Sequence, residues 1–91
     1  MTNYSEASKI LLQTENPKEL ERLKKEGLLD QVMKENQRVF SQQEQDLADQ
    51  IIRDLPPDLT EQQRIGRENM ARMTAREVAM HDMTEFWESV D

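Results

Sequence analysis

The stretch MARMTAREVAMHDMTEFW, residues 70–87, decides how the C-terminal third of this chain folds. Its methionines and the single tryptophan recur at intervals of three, seven, three and four residues: Met70, Met73, Met80, Met83 and Trp87. At about 100° per residue, these side chains share one side of an α-helix. Because methionine side chains adapt to irregular surroundings, such a stripe either packs in a small hydrophobic core or binds another protein.

The rest of the chain is also rich in helix-forming residues. Its 91 residues include only two glycines and three prolines, and the sequence lacks alternating strand patterns joined by a hairpin turn. We therefore expect one all-α domain, a small bundle of three to four helices with a long central and a long C-terminal helix. The expected helices cover about residues 4–13, 17–26, 28–54 and 61–89.

Capping residues and helix breakers mark the expected helix ends. Asn16 followed by Pro17 is typical of an N-cap with proline at the first helical position. Gly27 is typical of the residue that follows the C-terminal end of a helix. The two prolines, Pro56 and Pro57, end the central helix because proline disfavours helix in the residue before it. Thr60, with glutamine three residues later, predicts the start of the last helix.

The central helix carries a seven-residue spacing that suggests self-association. Met33, Phe40 and Leu47 are seven apart, and the polar residues Asn36 and Gln43 lie near the middle of the same arc. Polar residues in such a seam set register or oligomeric state in coiled coils. These five residues are therefore candidates for a homodimer seam, although the polar pair also suits a gap in a monomer's core. Residues 41–44 match a capping box, so the helix either continues or breaks near residue 41.

Composition restricts the classes of partner. Twelve basic and nineteen acidic residues give a net charge of −7, which does not favour nonspecific attraction to nucleic-acid phosphates. An acidic surface suits solubility, a basic partner or mimicry of nucleic acid.

The sequence lacks both a run of about 20 apolar residues and a recognisable signal peptide, so we expect a cytoplasmic protein without a membrane segment. Cysteine is absent, which excludes disulfides and thiolate metal sites.

Residues typical of catalysis or metal binding are sparse. His81 is the only histidine, and a soft-metal site formed with the flanking Met-x-x-Met pairs is disfavoured because His81 lies about 100° from the centre of the methionine arc. The chain has neither a Gly-x-Ser-x-Gly elbow nor a glycine-rich phosphate loop. We therefore expect no enzyme activity, no cofactor and no metal.

Two arginines complicate the apolar side of the last helix. Arg72 and Arg76 project into it, and burying an unpaired arginine is costly. Three arrangements avoid this cost. Each arginine pairs with an acidic residue of another helix, or the helix breaks at Thr74 and the arginines turn to another face. Alternatively, the apolar side of the helix is an exposed interface, where arginine, methionine and tryptophan are enriched.

The same arginines belong to the chain's only basic stretch, whose members are Arg64, Arg67, Arg72 and Arg76. We expect them to pair within the chain with the acidic segment, which consists of Glu44, Asp46, Asp49, Asp54 and Asp58.

These observations favour a non-enzymatic protein that binds and modulates a protein partner, as an inhibitor, antitoxin or chaperone-like adaptor does. The expected contact residues are Met70, Arg72, Met73, Arg76, Met80, Met83, Phe86 and Trp87. Two alternatives remain open. In the first, the chain is a nucleic-acid-linked regulator or a nucleic-acid mimic, although its net charge disfavours contact with nucleic acid. In the second, it is a structural homodimer.

Overall fold

The computed structural model describes residues 2–90, which form four α-helices without a strand. Helix α1 spans Tyr4–Glu15, α2 Pro17–Lys25, α3 Leu29–Arg53 and α4 Glu61–Ser89. The expected all-α class with four helices is confirmed. Both long helices are continuous, so neither residue 41 nor residue 74 interrupts them. Within residues 2–90, the helices lack the combination of length and apolar character that a membrane crossing requires.

Local contacts fix the helix ends. The Asn16 side chain accepts the backbone N–H of Glu19 at the start of α2, and Thr60 and Gln63 close a reciprocal capping box at the start of α4, with N···O distances of 3.0 and 3.2 Å. Gly27 ends α2 with φ of 70°, a left-handed conformation that glycine adopts without a steric penalty. Because the sequence encodes these signals, the helices begin and end within two residues of the expected positions.

Helices α3 and α4 form a long antiparallel hairpin, and α1 packs against both. Asn36 of α3 donates to the hydroxyl of Ser8 across 3.3 Å, and that hydroxyl donates to the sulfur of Met83 across 3.1 Å. Near the start of α1, the backbone N–H of Ser5 donates to Gln37. The order of these contacts makes α1 antiparallel to α3 and parallel to α4.

The main core lies where α1 covers the hairpin, and α2 adds two leucines to it. Its buried residues are Tyr4, Leu12, Leu20, Leu23, Met33, Phe40, Ala79, Met83 and Trp87. Three residues of the predicted dimer seam, Met33, Asn36 and Phe40, are at most 8% exposed, so in this structure they pack inside one chain and do not face a second copy. Gln43 and Leu47, the other two seam candidates, are half-buried.

The bundle is elongated, measuring 55 × 20 × 16 Å. Its radius of gyration is 16.4 Å, whereas a compact domain of this length has one of about 12 Å. The tyrosine at the start of α1 contacts Glu44, so the hairpin continues past α1 toward the loop at residues 54–60. That outer part is only two helices thick, which leaves more side-chain surface exposed than a compact bundle would.

Candidate protein-binding face

Helix α4 buries a stripe in which every fourth residue faces the interior, namely Ala71, Ala75, Ala79, Met83 and Trp87. An α-helix has 3.6 residues per turn, so each step of four moves the stripe about 40° around the helix. The direction of burial therefore turns by roughly 160° along the stripe. This turn follows the neighbouring helices, because α1 covers only the later part of α4.

Two residues of the predicted contact set belong to the core. Met83 is 1% exposed and Trp87 2% exposed, because α1 lies over both. Ser8 donates to the Met83 sulfur, and the Asn16 side chain donates to the backbone carbonyls of Trp87 and Val90. Their assignment to a partner-binding surface is therefore wrong for the isolated chain. A straight projection of α4 placed them with the other methionines because it ignored the drift of the buried stripe.

Five other predicted contact residues remain on the surface or at its edge. Met70 is 64% exposed and Met73 53% exposed, Arg72 and Arg76 are exposed, and Met80 is half-buried. They occupy an arc of about 160° on α4, with Met73 and Met80 within about 20° of each other. We call Met70, Arg72, Met73, Arg76 and Met80 the methionine face.

Phe86, the last predicted contact residue, lies outside the methionine face. It is 47% exposed and packs edge-on against the Trp87 ring, with ring centroids 4.9 Å apart. Its direction differs from that of Met80 by about 120° around the helix. The structure therefore does not bring Phe86 together with Met70 and Met73.

Two shallow cavities flank Arg76 on the methionine face. The first, of about 310 Å³, is lined by Thr2, Glu44, Arg72, Met73 and Arg76. The second, of about 340 Å³, is lined by Arg76, Glu77, Met80, His81 and Thr84. Because Arg76 borders both, an apolar side chain in either cavity would lie beside a guanidinium group.

A buried tyrosine supports the inner edge of the first cavity. The Tyr4 hydroxyl donates a hydrogen bond to the carboxylate of Glu44. Burial raises the pKa of Tyr4 above its usual value, and Glu44 raises that pKa further because a phenolate would lose the bond and meet a like charge. The nearby charge of Arg76 acts in the opposite direction. The tyrosine is therefore neutral at physiological pH and fixes Glu44 at the edge of the methionine face.

Contrary to the prediction, the arginines of α4 form no ion pair with the acidic segment at residues 44–58. Arg64 lies 3.3 Å from Glu68 of its own helix. Among residues 2–90, Arg67, Arg72 and Arg76 have no carboxylate within ion-pair distance. Since Arg72 and Arg76 are exposed, they avoid the cost of burial without a partner, and their donors remain free for a ligand.

His81 is exposed and lies between two carboxylates of its own helix. Its Nδ1 is 3.7 Å from Asp82, and its Nε2 is 3.6 Å from Glu85. Met83, which the sequence places beside His81, is buried and accepts the Ser8 hydroxyl. The sulfur of Met83 is therefore turned into the core and away from His81, whereas Met80 lines the same cavity as His81.

Sequence reasoning missed the contact between Tyr4 and Glu44, because nothing in the local pattern links residues forty positions apart. It also missed the gradual turn of the buried stripe around α4, although the sequence contains a pattern that indicates it. Small residues recur every four positions at Ala71, Ala75 and Ala79, a spacing that allows close approach of a neighbouring helix.

Comparison with family models, curated proteins and solved structures gives no match for this chain. Its class is therefore defined by the fold and the surface described above: an elongated, acidic, four-helix protein with an exposed methionine face.

Proposed function

We propose that this protein is a non-enzymatic helical protein that binds a protein partner through the methionine face and modulates that partner's activity. The observation that carries the proposal is the combination of exposed methionines with Arg72 and Arg76, which lack ion-pair partners in the described chain. Methionine and arginine are enriched in protein interfaces, and exposed methionine fits apolar surfaces of varied shape.

The chemistry of the face defines the kind of partner. Met73 and Met80 offer apolar contact, and Arg72 and Arg76 offer fixed donors beside it. A matching surface has an apolar side chain, such as leucine or phenylalanine, flanked by carboxylates. Arginine favours such carboxylates because its planar group can bind both oxygens at once. We therefore propose an apolar and locally acidic patch on the partner, even though the whole chain is itself acidic.

Site-specific photo-cross-linking tests the proposal. A photoreactive phenylalanine analogue is placed at Met73, and as a control at Gln31, which is exposed in the first turn of α3. Both variants are produced and irradiated in cells of the organism that encodes the protein, and the cross-linked adducts are identified by mass spectrometry. We expect one protein to cross-link from position 73 and not from position 31. Equal adducts from both positions, or none from position 73, would contradict the proposal.

Titration of the purified partner then tests the residues. We expect Met73→Ala combined with Arg76→Ala to weaken binding by about tenfold or more, because the double variant removes an apolar anchor and a charged donor. Phe86→Ala, which removes an exposed apolar group elsewhere on α4, is the matched control and should leave affinity unchanged. Both variants should retain the circular dichroism spectrum of the wild type.

A second candidate function, a nucleic-acid-linked regulator, is favoured by one observation. Arg67, Arg72 and Arg76 do not pair with the acidic segment, so they are free to contact phosphates. This function predicts DNA or RNA binding that weakens steeply with salt and is lost in Arg67→Glu. Absence of binding at low salt would exclude it and leave the protein-binding proposal unaffected.

A further inference from the structure

A third cavity connects the methionine face with helix α1. It measures about 240 Å³ and lies between α1 and α4, with Met80 and Thr84 on its α4 side. The same two residues line the cavity of about 340 Å³ beside Arg76, so the two cavities adjoin. We call these two adjoining cavities the α1–α4 groove. One end of this groove is therefore bordered by an arginine of the methionine face.

The part of the α1–α4 groove beside α1 is apolar. Four residues of α1 line it, namely Ala7, Ile10, Leu11 and Thr14. Ile10 is 55% exposed. The hydroxyl of Thr14 donates to the backbone carbonyls of Ile10 and Leu11 across 3.2 Å, and that of Thr84 donates to the carbonyl of Met80 across 2.8 Å. Because both hydroxyl protons are engaged within their own helices, this part of the groove suits apolar side chains.

Charged groups border the groove at one end and along one side. At the end, Arg76 and Arg72, one turn away, have no carboxylate within ion-pair distance among residues 2–90. Glu44 lies beside them, but its carboxylate already accepts the hydroxyl of the buried tyrosine. Glu77 and His81 line the side away from α1. A complementary ligand therefore carries a carboxylate at the arginine end, and any basic group it has fits on the side of Glu77.

The walls of the groove suit an α-helix. Both walls are helices that run parallel, and α3 already packs against both of them from the other side. A helix in the α1–α4 groove would complete the same ridge-and-groove packing on the open side, as the last helix of a four-helix bundle does. From Arg76 to Thr84 the groove follows eight residues of α4, or about 12 Å. A helix of about three turns would therefore span it and reach Arg72.

From these observations we propose that an amphipathic helix of the protein partner docks in the α1–α4 groove. Its apolar side chains, spaced three and four residues apart, contact Ile10 and Met80, and an aspartate or glutamate near one end binds Arg76. This docking mode rests on the proposed function, because it uses the same partner and the same arginine. It extends the binding site from the methionine face onto α1.

Photo-cross-linking from α1 tests the location of the docked helix. The photoreactive phenylalanine analogue is placed at Ile10, and as a matched control at Ile65, which is 52% exposed and lines neither cavity of the groove. We expect position 10 to cross-link the same protein as position 73, and position 65 to give no adduct. Mass spectrometry should place both adducts in one partner segment, with apolar residues every three or four positions and an acidic residue near the site captured from position 73.

The outcomes separate this docking mode from the proposed function. An adduct from position 73 without one from position 10 would overturn the docking mode and leave the proposed function intact. Absence of an adduct from position 73 would contradict the proposed function and, with it, the docked helix. An adduct between position 10 and a second copy of this chain, or a partner segment without the apolar and acidic pattern, would also overturn the docking mode.

A synthetic peptide with the sequence of the mapped segment tests the individual contacts by isothermal titration calorimetry. Ile10→Glu in the full chain should weaken peptide binding by about tenfold or more, because it places a carboxylate in the apolar part of the groove, whereas Ile65→Glu should leave binding unchanged. Circular dichroism checks that both variants remain folded. The bound peptide should be helical, which the difference spectrum of the complex measures. Unchanged affinity in Ile10→Glu, or a bound peptide without helix, would overturn the proposal.

Charge reversal gives a test that loss of folding cannot mimic. Arg76→Glu should weaken binding of the peptide by about tenfold or more, since it places like charges opposite one another. A peptide in which lysine replaces the facing acidic residue should bind Arg76→Glu more tightly than it binds the wild type. Failure of this exchanged pair to recover affinity would contradict the contact between Arg76 and the acidic end of the partner helix.

Discussion

The hydroxyl of Ser8 donates a hydrogen bond to the thioether sulfur of Met83 across 3.1 Å, inside the core. This contact divides the methionines of α4 into two groups. Met83 is part of the packing between α1 and the hairpin, whereas Met70 and Met73 face solvent. The same residue type at helical spacing is thus part of the core toward one end of the helix and exposed to solvent toward the other.

Shortening the buried tryptophan should unfold much of the protein. Trp87→Ala removes a ring that is 2% exposed and leaves a cavity, which typically costs about 3–5 kcal/mol. Trp87→Phe should cost less, because it keeps an aromatic ring and removes an indole N–H that finds no acceptor among residues 2–90. Urea denaturation followed by circular dichroism measures both. Equal stability of Trp87→Ala and wild type would contradict the assignment of Trp87 to the core.

Enlarging one alanine of the buried stripe should separate α4 from its neighbours. Ala75 is 0% exposed, so Ala75→Leu should destabilise the protein by about 1–3 kcal/mol through overpacking. Thr74→Leu adds a side chain of the same kind one residue away on the exposed side, and it should be nearly neutral. Thermal unfolding of the two variants compares the effects directly. A similar melting temperature for both would show that the stripe does not face α3.

The two glycines should respond to alanine in opposite directions. Gly27 has a positive φ of 70°, so Gly27→Ala should destabilise the protein by about 1–2 kcal/mol. Gly66 is an exposed position within α4 with nothing within 4 Å of an added Cβ, so Gly66→Ala should stabilise the helix by about 0.8–1 kcal/mol. Chemical denaturation measures both changes. A loss of stability in Gly66→Ala would indicate an unrecognised contact at that position.

The only tyrosine should titrate abnormally, which makes its absorbance a probe of the core. Burial and Glu44 raise the pKa of Tyr4 in the folded chain above the unfolded value of about 10. Because the folded pKa is the higher one, this contribution to stability is complete below pH 10 and is lost as the pH rises above it. Tyrosinate absorbance at increasing pH should therefore appear late, and together with unfolding. Glu44→Gln should lower the pKa of Tyr4 toward its ordinary value, whereas an ordinary titration in the wild type would contradict the buried contact.

The sequence was sufficient to predict the helices because their ends are encoded locally. Asn16, Gly27 and Thr60 act through bonds to residues within four positions, so short-range patterns reveal them. The long central helix was harder to judge, since the capping pattern at residue 41 competes with packing along the whole of α3. Packing prevailed, and Ser41 instead accepts a hydrogen bond from Gln37 within the continuous helix.

The division of the methionines could not be predicted from a helix projection alone. Met83 differs from Met70 and Met73 in its neighbours, not in its spacing, because only the later part of α4 meets α1. The position of α1 depends on contacts such as Tyr4 with Glu44, which join distant parts of the chain. The alanine spacing at 71, 75 and 79 carries part of this information, but α1 decides where the buried stripe turns.

The accessibility of position 73 in the presence of native cell proteins tests the central claim most directly. The chain contains no cysteine, so Met73→Cys and the control Gln31→Cys each introduce one labelling site. The rate of maleimide labelling is measured for both variants in buffer and in an extract of the native cells. We predict similar rates in buffer and selective protection of position 73 in the extract, as a partner covers the methionine face. An unchanged ratio of the two rates in buffer and extract would contradict the claim that this face binds a protein.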